Sequence, residues 1–202
     1  MSETILYVHG QGGSAEEALH YKPLFPGGAV FGADYQASTP WEAGAEIRAA
    51  AESLRSVSGD LILIANSIGA YFSMHASLGG LVRQAFFISP VVDMGSLIAG
   101  RMAQENVTEE ELERRGTIPT SFGEPLSWEY LSFVRSHPIE WNVPTHILYG
   151  ASDFLTPPET IRAFAQSHGA SLTVMENGEH WFHTKEQMQF LDDWIRRERN
   201  QK

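Results

Sequence analysis

Short, unbroken apolar runs recur along the chain, separated by stretches in which apolar positions return every three or four residues. Six of the runs read as β-strands: TILYVHG (4–10), GAVFGADY (28–35), DLILIANS (60–67), VRQAFFIS (82–89), THILYGAS (145–152) and ASLTVMEN (170–177). They are rich in Val, Ile, Leu and aromatics and mostly continuous rather than alternating. That is the pattern of strands covered on both faces, as in a parallel sheet.

Between the strands lie amphipathic helices. Ile47, Leu54 and Val57 make one apolar stripe over 41–57, and Ile161, Phe164 and Ala165 make another over 157–167. A last helix over about 184–197 carries Met188, Leu191 and Ile195 at steps of three or four, with Trp194 beside them. Strand–helix alternation of this kind predicts a layered α/β fold with helices on both faces of the sheet. The rhythm breaks between the fourth strand and THILYGAS, where no strand is predicted. There VTEEELERRG (107–116) has the start signal Thr108…Glu111 and the stop Gly116, and SWEYLSFVRSH (127–137) begins at a candidate N-cap, Ser127. Residues 92–140 therefore read either as a small helical insertion, a lid or cap, or as a crossover helix with a long loop. The whole chain, 1–202, is expected to be one domain carrying that insertion.

Composition changes the picture in two ways. The net charge of −11 disfavours nucleic acid and anionic lipid as partners. The absence of cysteine excludes disulfides, thiolate nucleophiles and Cys-ligated metal sites. The N-terminus enters an apolar strand with no basic leader, and no run approaches the ~20 apolar residues of a membrane span. The expectation is a cytoplasmic protein without a cofactor or metal.

Candidate chemistry lies at the ends of the predicted strands. In LILIANSIGAYF (61–72) a buried strand ends on Ser67, with Ala65 two residues before and Gly69 two after. Ser67 reads either as a helix cap or as a hydroxyl held out at a sharp strand-to-helix turn. In YVHGQGGS (7–14) the first strand ends in a glycine-rich loop whose N–H groups can turn toward an oxyanion. It lacks the lysine of a phosphate-binding loop. In LYGASDFLTP, Asp153 follows the fifth strand, as a turn residue or as a member of a site. In MENGEHWFHT, His180 follows the sixth. His183 reads as a residue of the helix threshold, and no third ligand makes a metal site with the histidine pair.

The order Ser67, Asp153, His180, with an HG-x-GG loop upstream, resembles the α/β-hydrolase superfamily over nearly the whole chain. The resemblance implies a trimmed three-layer α/β fold, with a mostly parallel sheet of about six strands and a small helical lid. It implies Ser67 as nucleophile, His180 as general base and acid, with His183 as the alternative for that place, and Asp153 as the residue orienting His180. The oxyanion hole would be the backbone N–H groups of Gln11 and Ile68. His9, Trp128, Tyr130, Phe133, Trp141 and Trp181 are expected to line a pocket for a small-to-medium, partly apolar substrate. A serine at the nucleophile position implies a serine esterase acting on a small-molecule ester or acyl substrate. Amide or peptide hydrolysis on the same fold, and a non-catalytic binding protein, are the alternatives. The sequence departs from the usual signature at Ala65, where glycine is expected.

Overall fold

A computed structural model of the chain describes residues 3–59, 61–121 and 123–199, without the side chains of residues 57 and 58. The chain divides into two compact units, one of residues up to Val92 together with those from Glu140 onward, the other Asp93–Ile139. The first unit begins with β1 (Thr4–Val8), the single helical turn α1 (Ala18–Tyr21), β2 (Ala29–Gly32), α2 (Pro40–Ser58), β3 (Leu61–Asn66), α3 (Ile68–His75) and β4 (Val82–Ile88). The second unit holds α4 (Met94–Gln104), α5 (Glu109–Arg115), a two-residue pair β5 (Thr117–Ile118) and β6 (Leu126–Ser127), and α6 (Trp128–Ser136). The first unit resumes with β7 (Thr145–Gly150), α7 (Pro158–Ser167), β8 (Ser171–Met175) and α8 (Lys185–Glu198).

All six predicted strands are present and form one sheet in the order β2-β1-β3-β4-β7-β8, every neighbour parallel. Flanking helices complete the α/β architecture. The central strands are buried along nearly their whole length, which explains their unbroken apolar sequences. From β1 the chain steps to β2 on one side, and β3 then continues on the other. The C-terminal ends of β1 and β3 therefore flank the switch point at which open α/β sheets leave a crevice.

The helices follow their stripes with local differences. On α2 the buried face is Ala43, Ile47 and Ala51; Leu54 is half-buried, and the Val57 side chain lies outside the described residues, as does Asp60 at the start of the third predicted strand. On α7, Ile161, Phe164 and Ala165 are buried as their spacing predicts. On α8 the buried face is Gln187, Leu191, Trp194, Ile195 and Glu198, so a glutamine takes an inward place and Met188 is half-buried.

Within the second unit, Thr108 Oγ1 accepts the Glu111 N–H, Gly116 ends α5 at φ 73°, and Ser127 Oγ accepts the Tyr130 N–H. These are the start and stop signals read from the sequence. Two features went unpredicted: α4, capped by Asp93 through the Ser96 N–H, and the pair β5–β6. With two residues on each strand, that pair has no periodicity for a sequence to reveal.

Candidate active site

The link from β3 into α3 takes a conformation that secondary structure alone does not require. Ser67 has φ 52° and ψ −122°, a region that non-glycine residues rarely occupy and that holds strain. The turn is fixed from both sides: the Ser67 N–H donates to Ile88 O at 3.0 Å, and Ser67 O accepts the Val91 N–H at 3.2 Å. Two residues on, a Cβ built on Gly69 would stand 2.2 Å from His9 O, so α3 passes the end of β1 at a distance that only glycine permits. Ala65, by contrast, sits fully buried inside β3, paired with Val8 and Phe87, and Asn66 continues the strand. Alanine is therefore accommodated in the strand, and the sharp turn begins only at Ser67.

Ser67 is the N-cap of α3 by position, yet its hydroxyl makes no capping bond. It lies 2.8 Å from His180 Nε2. His180 Nδ1 lies 2.7 Å from Asp153 Oδ2. The Asp153 side chain is fully buried and that of His180 nearly so. Asp153 Oδ1 also accepts the Leu155 N–H at 2.8 Å and the Thr156 N–H at 3.2 Å. The Asp153 carboxylate thus divides its oxygens, one building the turn and the other facing the imidazole. The structure thus brings Ser67, His180 and Asp153 into one hydrogen-bonded chain. A hydroxyl so placed can lose its proton to the ring as it attacks, while the buried carboxylate fixes the tautomer.

The loop carrying His180 is braced from two directions. A Cβ on Gly150 would lie 2.3 Å from Gly178 O, so the loop rests on the bare backbone at the end of β7. The Ser152 N–H donates to Gly178 O at 2.8 Å across the same junction. From α8, Gln187 Nε2 donates to Asn177 O at 3.3 Å while its Oε1 accepts the His183 N–H at 3.1 Å. Sequence reasoning missed Gln187, since a buried glutamine carries no periodic signal. His183 is exposed at the helix threshold, its Nδ1 2.6 Å from Trp181 O.

A cleft of about 390 Å³ opens at Ser67 and His180, lined by residues 10–13 of the glycine loop, Glu17, Asn66, residues 154–155 and Trp181. Gln11 is thus in the wall, and Gly10 lies close enough that a Cβ there would stand 3.1 Å from Ser67 Cβ. Ile68, directly after Ser67, contributes the first N–H of α3, one of the groups that helix geometry leaves without an intrahelical acceptor. Glu17, Asn66, Phe154 and Leu155 were missed as lining residues. Glu17 had a signal in Ser14-x-x-Glu17, a helix-start pattern that places its carboxylate against the loop.

Two expected pocket residues are placed elsewhere. Trp141 is a core residue: it is buried, its Nε1–H donates to Thr145 Oγ1 at 2.8 Å, and its ring packs against Phe87. Thr145 starts β7, at the end of the sheet away from Ser67, so Trp141 does not reach the cleft. His9 is not in the lining; it is buried and stacked on Tyr35 at 4.3 Å, and the Tyr35 hydroxyl donates to His9 O. Trp181 is in the lining. Trp128, Tyr130 and Phe133 belong to α6 of the second unit, where Phe133 stacks on His137. Among the described residues there is no cluster of metal-ligating side chains and no helix long and apolar enough to cross a membrane.

No protein-family model and no curated protein sequence matches the chain. Solved structures do. Est1E from Butyrivibrio proteoclasticus superposes with a TM-score of 0.81 at 16% identity, covering 98% of this chain and 87% of that one. Mouse alpha/beta hydrolase domain-containing protein 10 gives 0.67 at 18% identity, over 96% of this chain and 88% of its own. The propionate-bound esterase Est2 from Thermogutta terrifontis gives 0.64 at 18% identity, over 96% and 82%. The fold is that of the α/β-hydrolase superfamily, as the resemblance in sequence implied.

Proposed function

We propose that the protein is a serine hydrolase that cleaves carboxylic esters through an acyl-enzyme. The observation that carries this is the continuous hydrogen-bonded chain from Ser67 through His180 to a fully buried Asp153, at a strained turn on a fold shared with esterases. In the proposed reaction Ser67 Oγ attacks the ester carbonyl while His180 Nε2 takes the hydroxyl proton. The oxyanion is held by the N–H groups of Gln11 and Ile68, and collapse of the tetrahedral species expels the alcohol, protonated by His180. Water, deprotonated by His180, then attacks the acyl-Ser67 ester and releases the acid. Asp153 holds the imidazole with Nδ1 protonated throughout and supports the imidazolium as it forms. The structural neighbour Est2 in its propionate-bound form, and Est1E with ferulic acid bound, support acyl groups as the ligand class.

Purified protein is expected to release p-nitrophenol from short-chain p-nitrophenyl esters and to be labelled at Ser67 by a fluorophosphonate. Folded Ser67→Ala should do neither. Wild-type protein that shows no labelling and no turnover, behaving as Ser67→Ala does, refutes the proposal. Chromogenic aminoacyl amides assayed beside the esters distinguish esterase from amidase chemistry.

A further inference from the structure

Of the residues lining the cleft, Glu17 carries the one carboxylate, and no basic side chain pairs with it among the described residues. Among the described residues, the hydrogen bonds to its carboxylate come from neutral donors. The Tyr7 hydroxyl donates to Oε2, and the Ser14 N–H donates to Oε1 at 3.3 Å. Burial, with Tyr21 and Glu17 adding to it, holds Tyr7 far above the ordinary tyrosine range, so the phenol stays a donor. These bonds aim the carboxylate and leave its charge uncompensated. The glycine loop makes room for it: a Cβ on Gly13 would stand 2.6 Å from Oε1.

The other notable lining is aromatic. Phe154 is 82% and Trp181 72% exposed, an unusual state for side chains of this size, and both border the cleft beside His180. The Phe154 ring centre is 6.0 Å from that of His180. Aromatic faces together with an unpaired carboxylate attract a cation, through the ring quadrupole and through Coulomb's law. A neutral substrate filling the same space would strip water from Glu17 without replacing it, and an anionic one would be repelled. The chain's net charge of −11 acts in the same sense on an approaching ligand.

We propose that the cleft selects substrates carrying a cationic nitrogen, with Glu17 as the charge-pairing specificity residue and Phe154 and Trp181 as the aromatic faces; this rests on the ester hydrolysis proposed above. The test uses matched ester pairs that differ in charge and little in shape. Acetylcholine is compared with 3,3-dimethylbutyl acetate, which moves the charge in the alcohol. The p-nitrophenyl esters of 6-aminohexanoate and heptanoate move it in the acyl group. Wild-type kcat/KM should favour the cationic member of at least one pair by about fivefold or more at low salt. That preference should shrink as NaCl is added and vanish in Glu17→Gln, which keeps an acceptor for Tyr7 and Ser14.

A second readout needs no turnover: binding of choline and of n-butylammonium chloride to Ser67→Ala, followed calorimetrically, with affinity lost in Ser67→Ala/Glu17→Gln. Hydrolysis of neutral esters at Ser67 with no preference in either pair, or a preference that survives Glu17→Gln, overturns the proposal and leaves the hydrolase standing. Glu17-dependent binding of either cation by a protein that hydrolyses no ester overturns the hydrolase alone. Neither hydrolysis nor binding overturns both.

Discussion

Gly150→Ala tests whether the loop bearing His180 is held in place by backbone contact. Gly150 ends β7 with a φ outside the left-handed region, so alanine is free to adopt its backbone conformation, and the effect of the change is steric. The new methyl would meet Gly178 O at 2.3 Å, Gly178 C at 2.5 Å and Glu179 O at 2.7 Å, all backbone atoms with no side-chain rotamer to relieve them. Opening the shortest contact to the 3.0 Å below which such contacts essentially never fall moves the loop by about 0.7 Å. His180 is two residues from Gly178, and its bonds of 2.8 Å to Ser67 and 2.7 Å to Asp153 have little slack. A displacement near 1 Å in a reacting constellation lowers rate by about 10²-fold, and overpacking of this kind destabilises by about 1–3 kcal/mol. The expected outcome is kcat/KM on a p-nitrophenyl ester reduced about 100-fold, with a Tm lower by roughly 2–10 °C. Gly79→Ala is the control, since nothing lies within 4 Å of its Cβ. Wild-type kcat/KM in Gly150→Ala at an unchanged Tm would show that the crossing does not position His180.

Asp153→Asn should leave folding nearly intact and lower kcat by about 10³–10⁴-fold. Because Oδ1 already accepts two backbone N–H groups, the asparagine oxygen stays with them and its NH₂ faces His180 Nδ1, forcing the tautomer that points Nε2–H at Ser67; steady-state kinetics and thermal melts separate the two effects. Gln11→Pro removes one of the two proposed oxyanion donors and should reduce kcat/KM by the equivalent of about 2.7–4 kcal/mol, whereas Gln11→Ala should have a much smaller effect. Burial holds His146 below the ordinary histidine range against the opposing pull of Glu198, 3.2 Å from Nδ1. The unfolded chain therefore binds the extra proton more readily, and the stability tied to neutral His146 is complete above the unfolded value near 6.5 and declines as pH falls below it. Tm measured from pH 7.5 to 5 should fall less steeply in His146→Gln than in the wild type.

Much of this molecule was set by local sequence. Six apolar runs alternating with amphipathic stretches set the α/β architecture: the four central strands are buried along nearly their whole length, while the edge strands β2 and β8 are only partly covered. The start signals at Thr108 and Ser127 and the stop at Gly116 worked for the same reason: a cap is a contact between near neighbours. Ser67, Asp153 and His180 were legible because each sits at the end of its own strand, where a parallel sheet gathers loops into one crevice. What local sequence could not decide is which of two plausible jobs a residue takes, since that depends on partners far along the chain. Ser67 faces His180 and makes no capping bond, Asp153 divides its oxygens between its own turn and His180, and Trp141 lies in the core with Phe87 and Thr145 instead of the cleft. Gly69 against His9 and Gly150 against Gly178 are contacts across 60 and 28 residues that carry no sequence period. Ala65 marks the boundary between the two kinds of information. By pattern it was a departure at the turn, but in the folded sheet it is a buried strand residue, and the strained turn belongs to Ser67 alone.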